Sequence, residues 1–287
     1  MTSYHDNILT IMNNNSRKKY IGVFDSGFGG VSTLKGIVKE LPEYSYIYLG
    51  DNARTPYGTR SQKTIYDFSC QAVEFLFKNN CELVIFACNT ASSKALREIQ
   101  LNIVNKIYPE KRVLGVLIPA AEEAIKKTRN KKIGVIATEG SINSMAFARE
   151  LKLIDGDVKV YQKSTPLLVP LVESGEHRSN IANLILENYL KDLLKKDIDT
   201  LILGCTHYGI LENKIKKIVG SSINIVSDKR AVPKKLKNYL QRHPEIEKVL
   251  KKKNSVNFYT TDITDKFTIL GSKFFGKKIE VKKILLI

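Results

Sequence analysis

ELVIFACNTASS, residues 82–93, holds the reading that decides the fold. Leu83, Val84, Ile85, Phe86 and Ala87 form a short unbroken apolar run, the pattern of a strand buried on both faces, and Cys88, Asn89 and Thr90 follow where such a strand ends. Parallel α/β sheets gather ligands beyond the carboxyl ends of their strands. Asn89 or Thr90 is suited to cap the next helix, whose free N–H groups then face a bound anion. The construction returns at residues 200–208, TLILGCTHY, where an apolar strand runs into Cys205, Thr206 and His207, with Leu211, Ile215 and Ile218 on one face of the helix behind. One cysteine behind a strand reads as a small buried hydrophobe. Two, each with polar neighbours able to hold a ligand, read as a site.

Outward from this pair, residues 20–24 (YIGVF) form a strand followed by Asp25-Ser26-Gly27-Phe28-Gly29-Gly30 and a helix to about residue 41. Ser32 stands where a GxGxxG motif needs its third glycine, and no Gly-Lys-Ser/Thr closes a Walker loop, which favours a smaller anion over a nucleotide. Residues 46–49 are a second strand, and the loop GDNARTPYG (residues 50–58) is long enough to reach over a site. Helices are expected over residues 65–79 and 95–107, and a strand over 113–118 ending at Pro119 before a helix over 120–127. Then KIGVIAT, residues 132–138, echoes the opening strand, so that IGVFDSG is answered by IGVIATEG just as FACNT is answered by LGCTH. The second half continues with a strand near residues 158–161, the segment PLLVPLVESG (166–175), helices over 179–195 and 211–219, and a strand at 223–226.

The fold class is therefore α/β, two similar α/β domains with mainly parallel sheets facing each other across a cleft. The expected boundaries are a leader over 1–18, a first domain over 19–115 plus 229–287 carrying Asp25 and Cys88, and a second over 116–228 carrying Thr138 and Cys205. The weak strands of the tail, 256–260 and 279–286, are expected to return to the first domain.

A chain of 287 residues can bury a substantial core as one or two domains. Cys70, Cys81, Cys88 and Cys205 match no CxxC zinc ribbon and no dense disulfide framework, so they read as free thiols in a reducing compartment, with no metal. The first 19 residues are polar, without a signal peptide's apolar core or the length of a membrane span, which points to a cytoplasmic protein with no membrane partner. Met12 offers a second possible start. A formal charge of +17 raises the question of nucleic acid. The lysines are dispersed along helix faces and termini, with no DNA- or RNA-reading signature, and are assigned to solvated faces.

Two chemistries could employ the thiols. A Cys–His nucleophile of the hydrolase kind leaves Cys88 without a task, and His207 lies only two residues from Cys205. Two-base proton transfer uses both: inverting a carbon requires removing a proton from one face and delivering one to the other. A cleft with Cys88 on one wall and Cys205 on the other has that symmetry. Free cysteine titrates near pH ~8.5, and helix N-termini or a nearby base can bring it closer to neutrality. Ser26, Asn89, Thr90 and Thr206, with N–H groups at helix starts, could steady the carbanion, and Asp25 and His207 are natural aides, one for each thiol.

The motifs IGVFDSGFGG, GDNARTPYG, FACNTAS, GVIAT and LGCTHYG, in this order, resemble those of the cofactor-independent glutamate racemases of the aspartate/glutamate racemase superfamily, over nearly the whole chain from Lys19. The resemblance implies PLP-free interconversion of L- and D-glutamate for peptidoglycan precursors, without cofactor, by an enzyme expected to be a homodimer. It places Cys88 and Cys205 as the paired acid/base residues, assisted by Asp25 and His207. Substrate contacts fall on Asp25, Ser26, Tyr57, Gly58, Asn89, Thr90, Thr206 and His207, with Thr138 and Glu173 at cleft positions. Three departures stand out: Gly209 where the family has Pro, Ser141 for a more usual Thr, and SDKRAV (227–232) in place of the usual Asp-Ser pair. An aspartate racemase of the same superfamily is the rival reading; the PYG loop and the CNT/CTH pair favour glutamate, and Cys205 argues against a one-thiol decarboxylase.

Overall fold

The computed structural model describes residues 18–286, so the expected leader lies, but for Lys18, outside the described residues. Ten strands follow in order: β1 (Tyr20–Asp25), β2 (Ser45–Gly50), β3 (Cys81–Phe86), β4 (Arg112–Gly115), β5 (Lys132–Ala137), β6 (Lys159–Ser164), β7 (Thr200–Gly204), β8 (Asn224–Ser227), β9 (Ser255–Thr260) and β10 (Val281–Lys283). They form two sheets, ordered β10-β9-β2-β1-β3-β4 and β6-β5-β7-β8. Every pairing is parallel. The order β2-β1-β3-β4 of the first sheet is repeated as β6-β5-β7-β8 in the second, which is the duplication the echoed motifs predict.

The strands that read as continuous apolar runs are the inner ones. All residues of β3 and β7 are buried, as helices on both faces of a parallel sheet require, whereas β6 (KVYQKS) lies at an edge and is only half-buried. The tail returns to the first sheet, with β9 pairing β2 from Ser45↔Ser255 to Gly50↔Thr260 and β10 pairing β9. One apolar core joins the halves, taking Val23 and Ile85 from the first sheet and Val135 and Leu203 from the second, and a smaller one around Phe24, Leu76, Phe86 and Ile99 fills the other face of the first sheet.

Several boundaries differ from expectation. The helix predicted over 95–107 is broken into Asn89–Lys94, Leu96–Ile99 and Asn105–Ile107, with a wide turn at Gln100–Val104. The strand predicted to end at Pro119 stops at Gly115, and Pro119 sits in the first turn of the helix Leu117–Lys127, where no N–H is required of it. A long helix, Asp228–Arg242, fills the second crossing between the halves despite Pro233 in its interior. It packs on the helices Val31–Glu40 and Leu117–Lys127. Among the described residues, no helix is long and apolar enough to cross a membrane.

Candidate active site

In both sheets the chain steps outward from the first strand to one side and then returns past it, so the ends of β1 and β3, and of β5 and β7, form two equivalent switch points where a crevice opens. Asp25 ends β1, and Cys88 follows β3 as the cap of the helix Asn89–Lys94. Thr138 follows β5 as the cap of the helix Glu139–Asn143, and Cys205 follows β7. The two sulfurs thus come from opposite sheets, at 5% and 9% exposure.

At the first switch point the Cys88 Sγ accepts from the Ala91 N–H at 3.4 Å and donates to Ser26 Oγ at 3.5 Å. Asp25 is fully buried, and its Oδ2 accepts from the N–H groups of Gly27 (3.2 Å) and Gly30 (3.0 Å). Its Oδ1 accepts from Thr206 Oγ1 of the other half at 3.4 Å. Burial raises the Asp25 pKa, against the opposing pull of His207, the two N–H groups and Thr206. Burial and then the Asp25 charge push the Cys88 thiol up to about 12, outweighing Ser26 and the Ala91 N–H, and repulsion from Cys205 adds to the rise. The expectation that a helix start brings this thiol toward neutrality is corrected here: in a dry crevice beside a carboxylate, the loss of hydration wins.

The second switch point is arranged differently. Cys205 precedes a single 3₁₀ turn, Thr206–Ile210, which brings its Sγ to 3.7 Å from His207 Nδ1. The other ring nitrogen, Nε2, lies 3.3 Å from Glu173 Oε1, at the end of the helix Leu168–Glu173. Burial alone would lower the His207 pKa, but the Cys205 sulfur and the Glu173 carboxylate overcome it and hold the ring at about 10. His207 is therefore an imidazolium at neutral pH, and Cys205 sits beside a fixed positive charge while Cys88 does not. The turn between Cys205 and His207 thus permits the contact that two-residue spacing alone argues against. The edge of Phe28 from the first half packs on the His207 ring, centroids 5.3 Å apart.

The remaining residues named from sequence close the seam between the halves. Thr90 Oγ1 meets Thr138 Oγ1 at 2.9 Å and Ser141 Oγ at 3.4 Å. The Gly58 carbonyl accepts from the Gly140 N–H at 2.9 Å, so the PYG loop does reach across. A Cβ on Gly58 would stand 3.0 Å from Thr138 Cβ, which is why the approach needs glycine. Tyr57 is placed apart from this group: its ring is buried against Phe24 and Phe68, and its hydroxyl donates to Asp51 Oδ2 at 2.5 Å. The Gly209 carbonyl accepts from Lys229 Nζ at 3.1 Å.

Asp228 was missed as a site residue. It opens the helix after β8, is buried, and accepts from Asn89 Nδ2 at 2.5 Å. The strand-end rule that found Cys88 applies equally to NIVS followed by Asp228, so the signal was available. Among the described residues, no group of three or more His, Cys, Asp and Glu is placed to hold a metal ion.

Comparison with known proteins agrees with this arrangement. The family described as Asp/Glu/Hydantoin racemase matches residues 21–227. A glutamate racemase of Sulfurihydrogenibium is 42% identical over 92% of this chain and 96% of its own length, and one of Aquifex aeolicus is 38% identical over 91% and 96%. Among solved structures, a glutamate racemase isoform of Bacillus anthracis superposes with a TM-score of 0.86 at 35% identity, covering 93% of this chain and 98% of that one. The Francisella tularensis glutamate racemase in complex with D-glutamate superposes at 0.84 with 33% identity, covering 94% and 98%. With duplicated parallel sheets, a thiol at each switch point and this kinship along nearly its whole length, the chain belongs to the Asp/Glu/Hydantoin racemase family.

Proposed function

We infer that the chain interconverts L-glutamate and D-glutamate by proton transfer at the α-carbon, supplying D-glutamate for peptidoglycan precursors. The observation that carries the reading is the pair of buried thiols at the strand ends of the two sheets, in a chain whose relatives, named glutamate racemases, match it over more than nine-tenths of its length.

In the proposed scheme one sulfur, as thiolate, takes the α-proton from one face, and the C–H electron pair passes into the adjacent carboxylate as an enediolate. The other, as thiol, gives its proton to the opposite face and forms the new C–H bond. The roles exchange for the reverse reaction. Proton transfer by a positioned group contributes about 10²–10⁴-fold each, with the rest from donors aimed at the developing charge. The His207 ring charge stands beside Cys205, while burial and the Asp25 charge keep Cys88 a thiol, so the two sulfurs start in unlike surroundings. We assign donor roles to Ser26, Asn89, Thr90 and Thr206 and to the free N–H groups behind Cys88, a cleft-wall role to Thr138, and assistance to Asp25 and His207. Tyr57 and Gly58 contribute through the backbone of their loop.

We further propose 19–115 with 229–287, and 116–228, as the two domains, a cytoplasmic homodimer as the working form, and no nucleic-acid partner. Sedimentation of the purified chain, with and without duplex DNA, checks the last two. Incubation with L-glutamate in heavy water, without PLP or metal, is expected to give D-glutamate deuterated at the α-carbon, with aspartate left unchanged in parallel. Cys88→Ala and Cys205→Ala are each expected to abolish racemisation; full activity in either variant would overturn the two-base scheme.

A further inference from the structure

Asn89 and Asp228 hold a feature of this site that the reaction scheme does not use. A single contact joins them, from Asn89 Nδ2 to Asp228 Oδ2 at 2.5 Å. Each has a second, buried polar atom, and both are orphans: Asn89 Oδ1 and Asp228 Oδ1 are closed to solvent and have no hydrogen-bond partner among the described residues. Two buried acceptors left unsatisfied on one bonded pair are costly when both groups are in their usual states. One proton on Asp228 Oδ1 removes both deficits, because the carboxylic acid then donates to the amide oxygen while still accepting from the amide nitrogen.

We propose that Asp228 is a positioning residue for the racemisation inferred above, holding Asn89 as a neutral acid–amide pair so that the amide next to Cys88 is fixed without a buried negative charge. Asp228 stands in the first turn of its helix, whose dipole favours an ionised form, but among the described residues its side chain accepts only from Asn89. Burial raises its pKa to about 7, with Asn89 pulling the other way and the Asp25 charge adding to the rise.

Asp25, at the end of β1, is the charged group that faces it. Lys229 and Arg230, next on its own helix, turn to Glu212 instead. On the helices packed against it, Glu40 pairs with Lys237, Glu122 with Lys235 and Glu123 with Lys127. From the 206–210 turn, His207 is engaged by Cys205 and Glu173, and on the Asn89–Lys94 helix Lys94 donates to the Arg60 carbonyl. Cys88 lies on the other side of Asn89. Among the described residues named here, an ionised Asp228 therefore meets one carboxylate and cations already engaged elsewhere, and it opposes a substrate that brings two carboxylates of its own.

The experiment compares KM for glutamate between about pH 6 and about pH 9 in the parent, Asp228→Asn and Asp228→Ala. Asparagine can form the same two-bond pair with Asn89 and cannot ionise. Its KM is expected to match the parent at the acid end and to stay flat, whereas the parent's rises on the order of tenfold for each pH unit above the Asp228 pKa. Asp228→Ala is expected to show a raised KM throughout, with kcat less affected. The proposal is overturned if Asp228→Asn follows the parent's alkaline rise, or if it is as impaired as Asp228→Ala. A parent that racemises no glutamate would count against the functional reading alone. The pair has its own readout in that case: an infrared carbonyl band of a protonated carboxyl, titrating near the Asp228 pKa and lost in Asp228→Asn. Its absence from the parent overturns the proposal whatever the activity.

Discussion

Gly29 offers the sharpest test of how the two halves are fitted together. It lies in the turn after β1, yet a Cβ placed on it would stand 2.5 Å from Thr206 Oγ1, 2.7 Å from His207 Nδ1 and 2.8 Å from His207 Cε1, all in the other half. Ordinary contact begins near ~3.4 Å, so Gly29→Ala forces a displacement of about 1 Å on the segment carrying Cys205. Cys205, Glu173 and the ring of Phe28 crowd His207 and leave it little room to swing away. Overpacking of this kind costs about 1–3 kcal/mol, which for a chain of this size lowers Tm by several degrees. The effect on catalysis is larger, because misplacing a reacting group by ~1 Å can cost on the order of 10²-fold in kcat. Gly27→Ala is the matched control: its nearest neighbour, Thr55 Oγ1, is 3.5 Å from the added carbon. The assay is coupled turnover of L-glutamate beside thermal melts of all three proteins. A Gly29→Ala variant with parental kcat and Tm would refute the claim that the two halves meet rigidly at this point.

Two further outcomes follow from the charges around the site. Because the folded pKa of His207 is held at about 10, above its ordinary 6.5, the stability it contributes is fully present below about pH 6.5 and is lost as pH rises toward 10. Glu173→Gln is expected to flatten that slope in urea midpoints measured against pH, and an unchanged slope would remove Glu173 as the partner that holds the ring charged. Tyr57→Phe takes a donor from the buried Asp51, which also accepts from Arg54 Nε at 2.7 Å and Thr261 Oγ1 at 2.8 Å. It is expected to cost about 1–3 kcal/mol of stability and to leave KM for glutamate unchanged, so a raised KM would return the Tyr57 hydroxyl to the substrate.

The apolar runs ahead of Cys88 and Cys205 could be read directly, because a strand buried on both faces has no polar alternation to obscure it, and thus both switch points were visible before any contact was known. The echo of IGVFDSG in IGVIATEG likewise announced a repeated strand order, since the same local pattern folds by the same local rules. Helix boundaries near Pro119 and Gln100 were less legible, being set by which backbone groups find partners after packing. Asp228 shows the limit best. Its position at a strand end was plain, but its meaning depends on Asn89, from far earlier in the chain, and on its having no other donor among the described residues. By itself the sequence determined the elements, their duplication and the chemical types at their ends, because these follow from local periodicity. Only the tertiary structure decided which of those groups stay charged, because hydration, proximity and burial are properties of the assembled crevice.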